Sequence, residues 1–429
     1  MTRPFARVAY RRILIVGGGR AGVAAAEELR RSGFAGEVAL LCEDDDPPYD
    51  RPACSKGMLT GHQRPQDVLM PVRDNGDLTW LRGRRAVAID ADAREVVTDT
   101  DEIFEYDGLV IATGSGAPSP AAWAGDEPGI HSLHTLADSW SLRRALRTAE
   151  RVVVVGGGIT GCEVASAVRT LARECVIVHS QRHLMSRALG DVVGEYVTEV
   201  AAADGVDLRL GRRVSAVDRL RRGWRLALDD GTFVTGDLVV ATTGGRPDTA
   251  WLEDTGLDVS DGVECDESLR VLGLDGVVAA GTVARWPNLR FGHRPRRSEH
   301  WIGALEMGRG AAHTLLAGDG DAPPVTVLPR FWSDQFGLRI QVCGELAPDG
   351  EVSISEQRRG RRDVARSGVV VGYHRDDQLV GLVAVNATHA FTPIARSMLA
   401  TPLPPLEAPV PLPQSAPPLR SRHHLSAVS

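Results

Sequence analysis

Twice in this chain an apolar strand pattern runs into Gly-x-Gly-x-x-Gly and then into an Ala-rich helical pattern. The first copy is Arg12–Val16 followed by Gly17, Gly19 and Gly22; the second is Arg151–Val155 followed by Gly156, Gly158 and Gly161. This spacing suits pyrophosphate binding. The first glycine makes the tight turn, the second lets the backbone approach the phosphates, and the third packs helix on strand. The helix N-terminus then presents unpaired N–H groups and a positive dipole end to the anion. Each copy is followed by a further apolar strand, Val38–Cys42 and Val176–His179, so each reads as a βαβ unit. A lone fingerprint is weak; two in the same context predict two dinucleotide sites.

The units differ where the second strand ends. The first has Glu43, suited to accept a hydrogen bond from an adenosine ribose 2′-hydroxyl. The second has His179, followed by Ser180, Gln181, Arg182 and His183. A carboxylate repels a 2′-phosphate, whereas a polar and basic set accepts one, so the second site leans towards NADPH over NADH. The plainer alternative is a solvated loop whose sequence has drifted.

Of 49 basic residues one is a lysine, Lys56, in Pro48-Tyr49-Asp50-Arg51-Pro52-Ala53-Cys54-Ser55-Lys56. The arginine bias reads as codon usage, and a chance codon on a loop is the plain account of the exception. The chemical account is that a slim ammonium fits where a broad, planar guanidinium does not.

Positioning two such sites takes more than one small core, and 429 residues allow two or three domains. Apolar content of 43% with 24% charged residues is that of an ordinary globular protein. The net charge of −7 gives no reason to expect nucleic acid or an anionic membrane as partner. Against that average, Arg285, Arg290, His293, Arg294, Arg296, Arg297 and His300 form a basic run. No stretch approaches the ~18–20 apolar residues of a membrane span, and no secretory apolar core precedes Arg12, so a cytoplasmic location is the default. The six cysteines form no C-x-x-C pair and read as free thiols; no metal set is written locally.

Two further strands end in Thr-Gly turns, at Thr113-Gly114 and at Thr243-Gly244. These read as crossovers between nucleotide units. The strand Val277–Ala280 leads to Gly281-Thr282. After Pro323-Pro324 the pattern changes to alternating β segments, Leu338–Val342, Gly368–Tyr373 and Gln378–Asn386. From about Thr401 the chain is Pro-rich, with the composition of a disordered tail.

Together these motifs resemble the FAD-dependent, NAD(P)H-driven ferredoxin reductases that serve oxygenases, a branch of the pyridine nucleotide-disulfide oxidoreductase superfamily. The resemblance spans about residues 10–400. It rests on the first fingerprint, Arg51-Pro52-x-x-Ser55-Lys56, Ala112-Thr113-Gly114, Gly156–Ala165 with Glu163, Gly281–Asn288, Glu299–Gly310, and Phe331-Trp332-Ser333-Asp334-Gln335. It implies an α/β fold with two Rossmann-like domains and a C-terminal α+β domain. Residues 10–116 and 246–322 would bind FAD, 117–245 would bind NAD(P), and 323–400 would form the third domain. It implies that Gly17, Gly19, Gly22 and Glu43 hold the ADP half of FAD, with Thr113, Gly114 and Gly281 beside the cofactor. Arg51 and Lys56 would lie along the flavin, Lys56 paired to Glu163, with Trp332 stacked nearby. Gly156, Gly158 and Gly161 would hold the nicotinamide nucleotide.

A fixed ammonium beside the flavin would stabilise the negative charge that arrives with hydride, while the cofactor performs the electron chemistry. Without the resemblance, Glu163 is equally a first-turn acid complementing the helix dipole, and Trp332 a packing residue. The expected partner is a small iron–sulfur ferredoxin, docking near Arg285–Arg297, because the chain has no cluster-binding cysteine set. Three positions depart from the family pattern: Thr282 stands for an Asp, His179 for the ribose-binding acid, and Cys54 for a leucine. They keep two alternatives open. One is an oxidase or peroxidase using Cys54 as a thiolate, its pKa lowered by Arg51 and Lys56. The other is a flavin-poor nucleotide-binding module. Oligomeric state is not legible.

Overall fold

The structure is a computed structural model that describes residues 10–116, 129–346, 351–357 and 368–400, apart from Asn75, Asp319 and Asp376. The expected Pro-rich tail from 401 lies outside the described residues.

Each fingerprint strand is the centre of a five-stranded parallel sheet. In the first sheet Arg12–Val16 lies between Glu37–Cys42 and Gly108–Ile111, with Thr79–Arg82 and Val277–Ala279 at the edges. In the second, Arg151–Val155 lies between Glu174–His179 and Leu238–Ala241, with Val206–Leu210 and Ile130–Ser132 outside. Both faces of each central strand are covered, so Ile13, Leu14, Ile15, Val152, Val153 and Val154 are all buried. In the second unit helices cover one side and the antiparallel strands Val214–Arg219, Trp224–Leu228 and Phe233–Gly236 the other. Strands covered on both faces read as unbroken apolar runs, which is how both were legible. Each glycine turn delivers its chain into a helix of matching length, Arg20–Arg31 and Ile159–Thr170.

The chain passes between the two sheets twice, and there Ser115–Gly116 pairs antiparallel with Arg246–Pro247. The second unit is thus threaded through the first, whose edge strand Val277–Ala279 arrives only afterwards. The expected two-unit α/β fold with a C-terminal α+β region stands.

The third region is an antiparallel sheet in the order Arg330–Gln335, Leu338–Gly344, Gln378–Val385, Gly368–Arg375, Glu351–Gln357. The helix Thr388–Ala400 follows it. One face of the sheet is apolar: Leu338, Ile340 and Val342 are buried, whereas Arg339 between the first two is exposed. That face closes a single core with Val164, Val168, Leu189 and Val193 of the second unit. The packing fixes the strand Arg330–Gln335 against the helix Ile159–Thr170, which carries the second fingerprint. Among the described residues, no helix is long and apolar enough to cross a membrane.

Buried Tyr373 ties the sheet to the second unit by donating its hydroxyl proton to the Leu189 carbonyl. That carbonyl is open to an outside donor because the helical stretch Ser186–Ala203 breaks at Gly190 (φ 77°, ψ 167°). Replacing Tyr373 by Phe keeps the ring and orphans the buried carbonyl. The expected loss is about 1–3 kcal/mol, read as a lower urea midpoint with unchanged slope.

Candidate active site

Both fingerprints open onto one cavity of about 1530 Å³. Sites for drug-sized ligands span about 300–1,000 Å³, so this volume accommodates more than one small ligand. Its wall includes Gly17–Arg20, Glu43, Arg51, Lys56, Thr113, Gly114, Gly156–Gly158, Glu163, His179, Gly281, Thr282 and Trp332. These residues come from seven separate stretches of the sequence.

The glycines divide by what a side chain would meet. A Cβ at Gly17 would overlap the Ala112 carbonyl, and one at Gly22 the Gly17 carbonyl. In the second unit, Gly156 would strike the Thr242 carbonyl and Gly161 the Gly156 carbonyl. Outer glycines are therefore demanded by protein packing. The middle ones are not: a Cβ on Gly19 or Gly158 meets nothing within 4 Å. Both are N-caps without a side-chain cap, and neither helix carries an acid in its first turn. Open space, unpaired N–H groups and no opposing charge fit a pyrophosphate at each position. Beside the first cradle Arg20 lines the cavity, its guanidinium 4.8 Å over the Trp301 ring. That cation is not legible from the fingerprint, in which it occupies a variable position.

Glu43 stands on the wall near Asp248, and burial followed by Asp248 raises its pKa. His179 lies beneath Gly157 as Cys42 lies beneath Gly18. By strand register His179 matches Cys42, and Ser180 matches Glu43; neither position of the second unit carries a carboxylate. His179 Nδ1 accepts the Gly157 N–H at 3.0 Å, and burial lowers its pKa, opposed by the His183 backbone. Arg182, expected beside it, is exposed and off the cavity wall. Arg187, Arg212 and Arg213 line the cavity instead, and Arg212 is paired with Asp230 at 2.6 Å.

Lys56 meets Glu163 at 2.8 Å, and Glu163 is only 5% exposed. Lys56 Nζ also donates to the Pro52 carbonyl at 3.1 Å. Ser55 and Ser333 both donate hydroxyl protons to the Glu163 carboxylate. The two serines belong to motifs the sequence displays, but their shared target joins residues 108 and 170 positions apart. Arg51 contacts His134 Nε2 at 2.7 Å and lies 5.9 Å over the Tyr49 ring. Thr113 donates to the Asp248 carbonyl at 2.7 Å, holding the crossover rather than facing outward. Thr282 lines the cavity opposite Gly114. Trp332 is 38% exposed on the wall, with Arg339 at 5.9 Å. Its neighbour Phe331 stacks on His300 at 4.9 Å, and burial lowers that imidazole to about 4, leaving it neutral near pH 7.

Two electrostatic expectations are corrected. Cys54 is 3% exposed, and desolvation pushes its thiol up to about 12, outweighing Arg51 and Lys56. It is a buried thiol, not a thiolate. In the basic run, folding brings carboxylates that sequence order hides. Arg285 pairs with Glu264 and Asp258, Arg297 with Asp261 besides its sequence neighbour Glu299, and Arg296 with Glu345. The exposed His293 and Arg294 carry what is left of the patch.

Residues 11–308 match the family described as pyridine nucleotide-disulphide oxidoreductase, and 330–415 match the reductase C-terminal family. The chain belongs to the pyridine nucleotide-disulphide oxidoreductases. It is 31% identical to the ferredoxin reductase component of chlorobenzene dioxygenase from Cupriavidus sp. (strain PS12), covering 90% of this chain and 91% of that protein. To the ferredoxin–NAD(+) reductase component of the p-cumate 2,3-dioxygenase system of Pseudomonas putida it is 33% identical, over 88% and 90%. The structure of the covalent putidaredoxin reductase–putidaredoxin complex matches at a TM-score of 0.81 with 27% identity, over 90% and 93%. Despite the family's name, all six cysteines of this oxidoreductase are free and buried.

The glycine geometry separates folding from binding. Gly17→Ala is expected to lower the thermal midpoint of the apoprotein sharply. Gly19→Ala is expected to leave that midpoint nearly unchanged while reducing the flavin retained on purification, measured as visible absorbance per chain.

Proposed function

We propose that the chain is an FAD-dependent ferredoxin reductase that takes electrons from NADH and delivers them to a small iron–sulfur ferredoxin serving an oxygenase. The observation that carries this reading is the half-buried Lys56 paired with buried Glu163 on the wall of a cavity into which two pyrophosphate cradles open. The relatives named as ferredoxin reductase components, matched over nearly their whole length, support the partner and the setting.

In this reading Gly17, Gly19 and Gly22 hold the FAD pyrophosphate, with Arg20 adding positive charge and Glu43 accepting from the ribose. Thr282 offers a hydroxyl where the family pattern has a carboxylate. Gly156, Gly158 and Gly161 hold the coenzyme pyrophosphate. Bound FAD supplies the conversion of a two-electron hydride into single electrons. The protein supplies position and field: Lys56 directs an ammonium into a partly dry cavity, where it is worth more than in water. Glu163 holds that ammonium in place. Trp332 and neutral His300, through Phe331, wall the same space, and His293 and Arg294 offer the positive face for an acidic ferredoxin.

The coenzyme assignment reverses the lean towards NADPH. Arg182 stands off the wall, Arg212 is committed to Asp230, and a relative is named for NAD(+). The three large sheets support a division into 10–116 with 246–322, 117–245 and 323–400, and six free cysteines favour the cytoplasm.

Anaerobic stopped-flow mixing tests the assignment. The purified protein is expected to be yellow and to bleach faster with NADH than with NADPH; a colourless protein, or one unaffected by either coenzyme, overturns it. Lys56→Arg keeps the charge but not the shape. It is expected to slow bleaching roughly ten- to a hundredfold while the thermal midpoint stays near the parent's.

A further inference from the structure

We propose that Ser333, on the C-terminal sheet, is a positioning residue for Lys56 and acts through Glu163. The inference rests on the reading above, in which Lys56 faces the flavin. Glu163 is 5% exposed, so its charge must be met by donors inside the protein. One carboxylate oxygen, Oε1, receives both Lys56 Nζ and Ser333 Oγ; the other, Oε2, receives Ser55 Oγ. The acceptor and its donors come from three regions. Ser55 and Lys56 lie within the first nucleotide unit, between its strands Glu37–Cys42 and Thr79–Arg82. Glu163 stands in the fingerprint helix of the second, and Ser333 lies on the sheet strand Arg330–Gln335.

Ser333 is fully buried, between an exposed Trp332 and an exposed Asp334. The strand alternation that turns its neighbours outward turns Ser333 towards Glu163. An ammonium has three N–H donors. Lys56 commits one to Glu163 and one to the Pro52 carbonyl, which leaves one for the cavity it lines. The direction of that third donor follows from the first two. A carboxylate turns easily about its terminal torsion, and hydroxyl donors on both of its oxygens fix that rotation. Removing the Ser333 hydroxyl leaves Oε1 with Lys56 alone and lets the pair swing together. The C-terminal sheet thereby sets the aim of a group it does not touch.

The single lysine makes this measurable. In protein labelled with 15N-lysine, the only side-chain ammonium signal belongs to Lys56. Ser333→Ala is expected to raise the solvent-exchange rate of that signal about tenfold, the lower end for a hydrogen bond to a charged group, and to slow flavin reduction by a similar factor. Ser333→Thr retains the hydroxyl and is expected to restore both. Ser333→Cys keeps the shape with a weak donor and is expected to follow Ala; it stands in if the Ala variant does not fold. An exchange rate and a reduction rate equal to the parent's in the Ala or Cys variant overturn the proposal. So does a lower thermal midpoint with neither rate changed. If the parent itself is not reduced by NADH, the functional reading fails, and the ammonium signal, which needs no coenzyme, still judges Ser333.

Discussion

A carboxylate withdrawn from water must find its counter-charge and its hydrogen bonds inside the protein, or the fold cannot hold it ionised. Glu163 meets that requirement with one ammonium and two hydroxyls, so that the carboxylate and its donors join three regions of the chain. None of those regions can shift without exposing or orphaning the charge. The two parallel sheets and the C-terminal sheet are therefore registered to one another at the point where the cavity needs its cation. Apolar packing of the third sheet onto the second unit supplies most of the contact, but it is non-directional. The polar cluster adds the direction.

The two nucleotide units show how one backbone device serves twice. In both, the outer glycines are forced by carbonyls of their own unit, and the middle glycine keeps a space that no protein atom fills. The units part company beyond the phosphates. Glu43 stays on the wall as an acid where the second unit has Ser180, and His179, at the position of Cys42, tucks its ring beneath the glycine turn and accepts a backbone N–H. The histidine is as much a prop for the second cradle as a contact for what sits in it.

Much of this was legible in the sequence, for local reasons. Val152–Val155 and Ile13–Val16 are unbroken apolar runs because their sheets are covered on both faces. Leu338 and Ile340 alternate with Arg339 and Gln341 because this end of their strand is buried on one face. Further along the sheet the helix Thr388–Ala400 covers the other face over Cys343, Leu382 and Ala384. Lys56 and Glu163 were paired by resemblance, and the fold brings them together. What was hidden depended on distant partners. Nothing near Arg285 or Arg297 reveals that Glu264, Asp258 and Asp261 neutralise them. Flanking cations suggested a reactive Cys54, but desolvation, which no neighbour in sequence encodes, decides the thiol. Ser333 was visible in its motif and silent about its target, since hydroxyls bond whatever the fold presents.

The antiparallel pair of Ser115–Gly116 with Arg246–Pro247 also has a consequence for biosynthesis. The first sheet cannot be completed until Val277–Ala279 joins Gly108–Ile111, and the whole coenzyme unit is made in between. On a ribosome, which releases the chain N-terminus first, the nested unit emerges entire while its host still lacks an edge strand. Domains tend to fold as units in the order they emerge. The inner unit can thus fold first, bring the two crossing segments side by side, and shorten the loop its host must close.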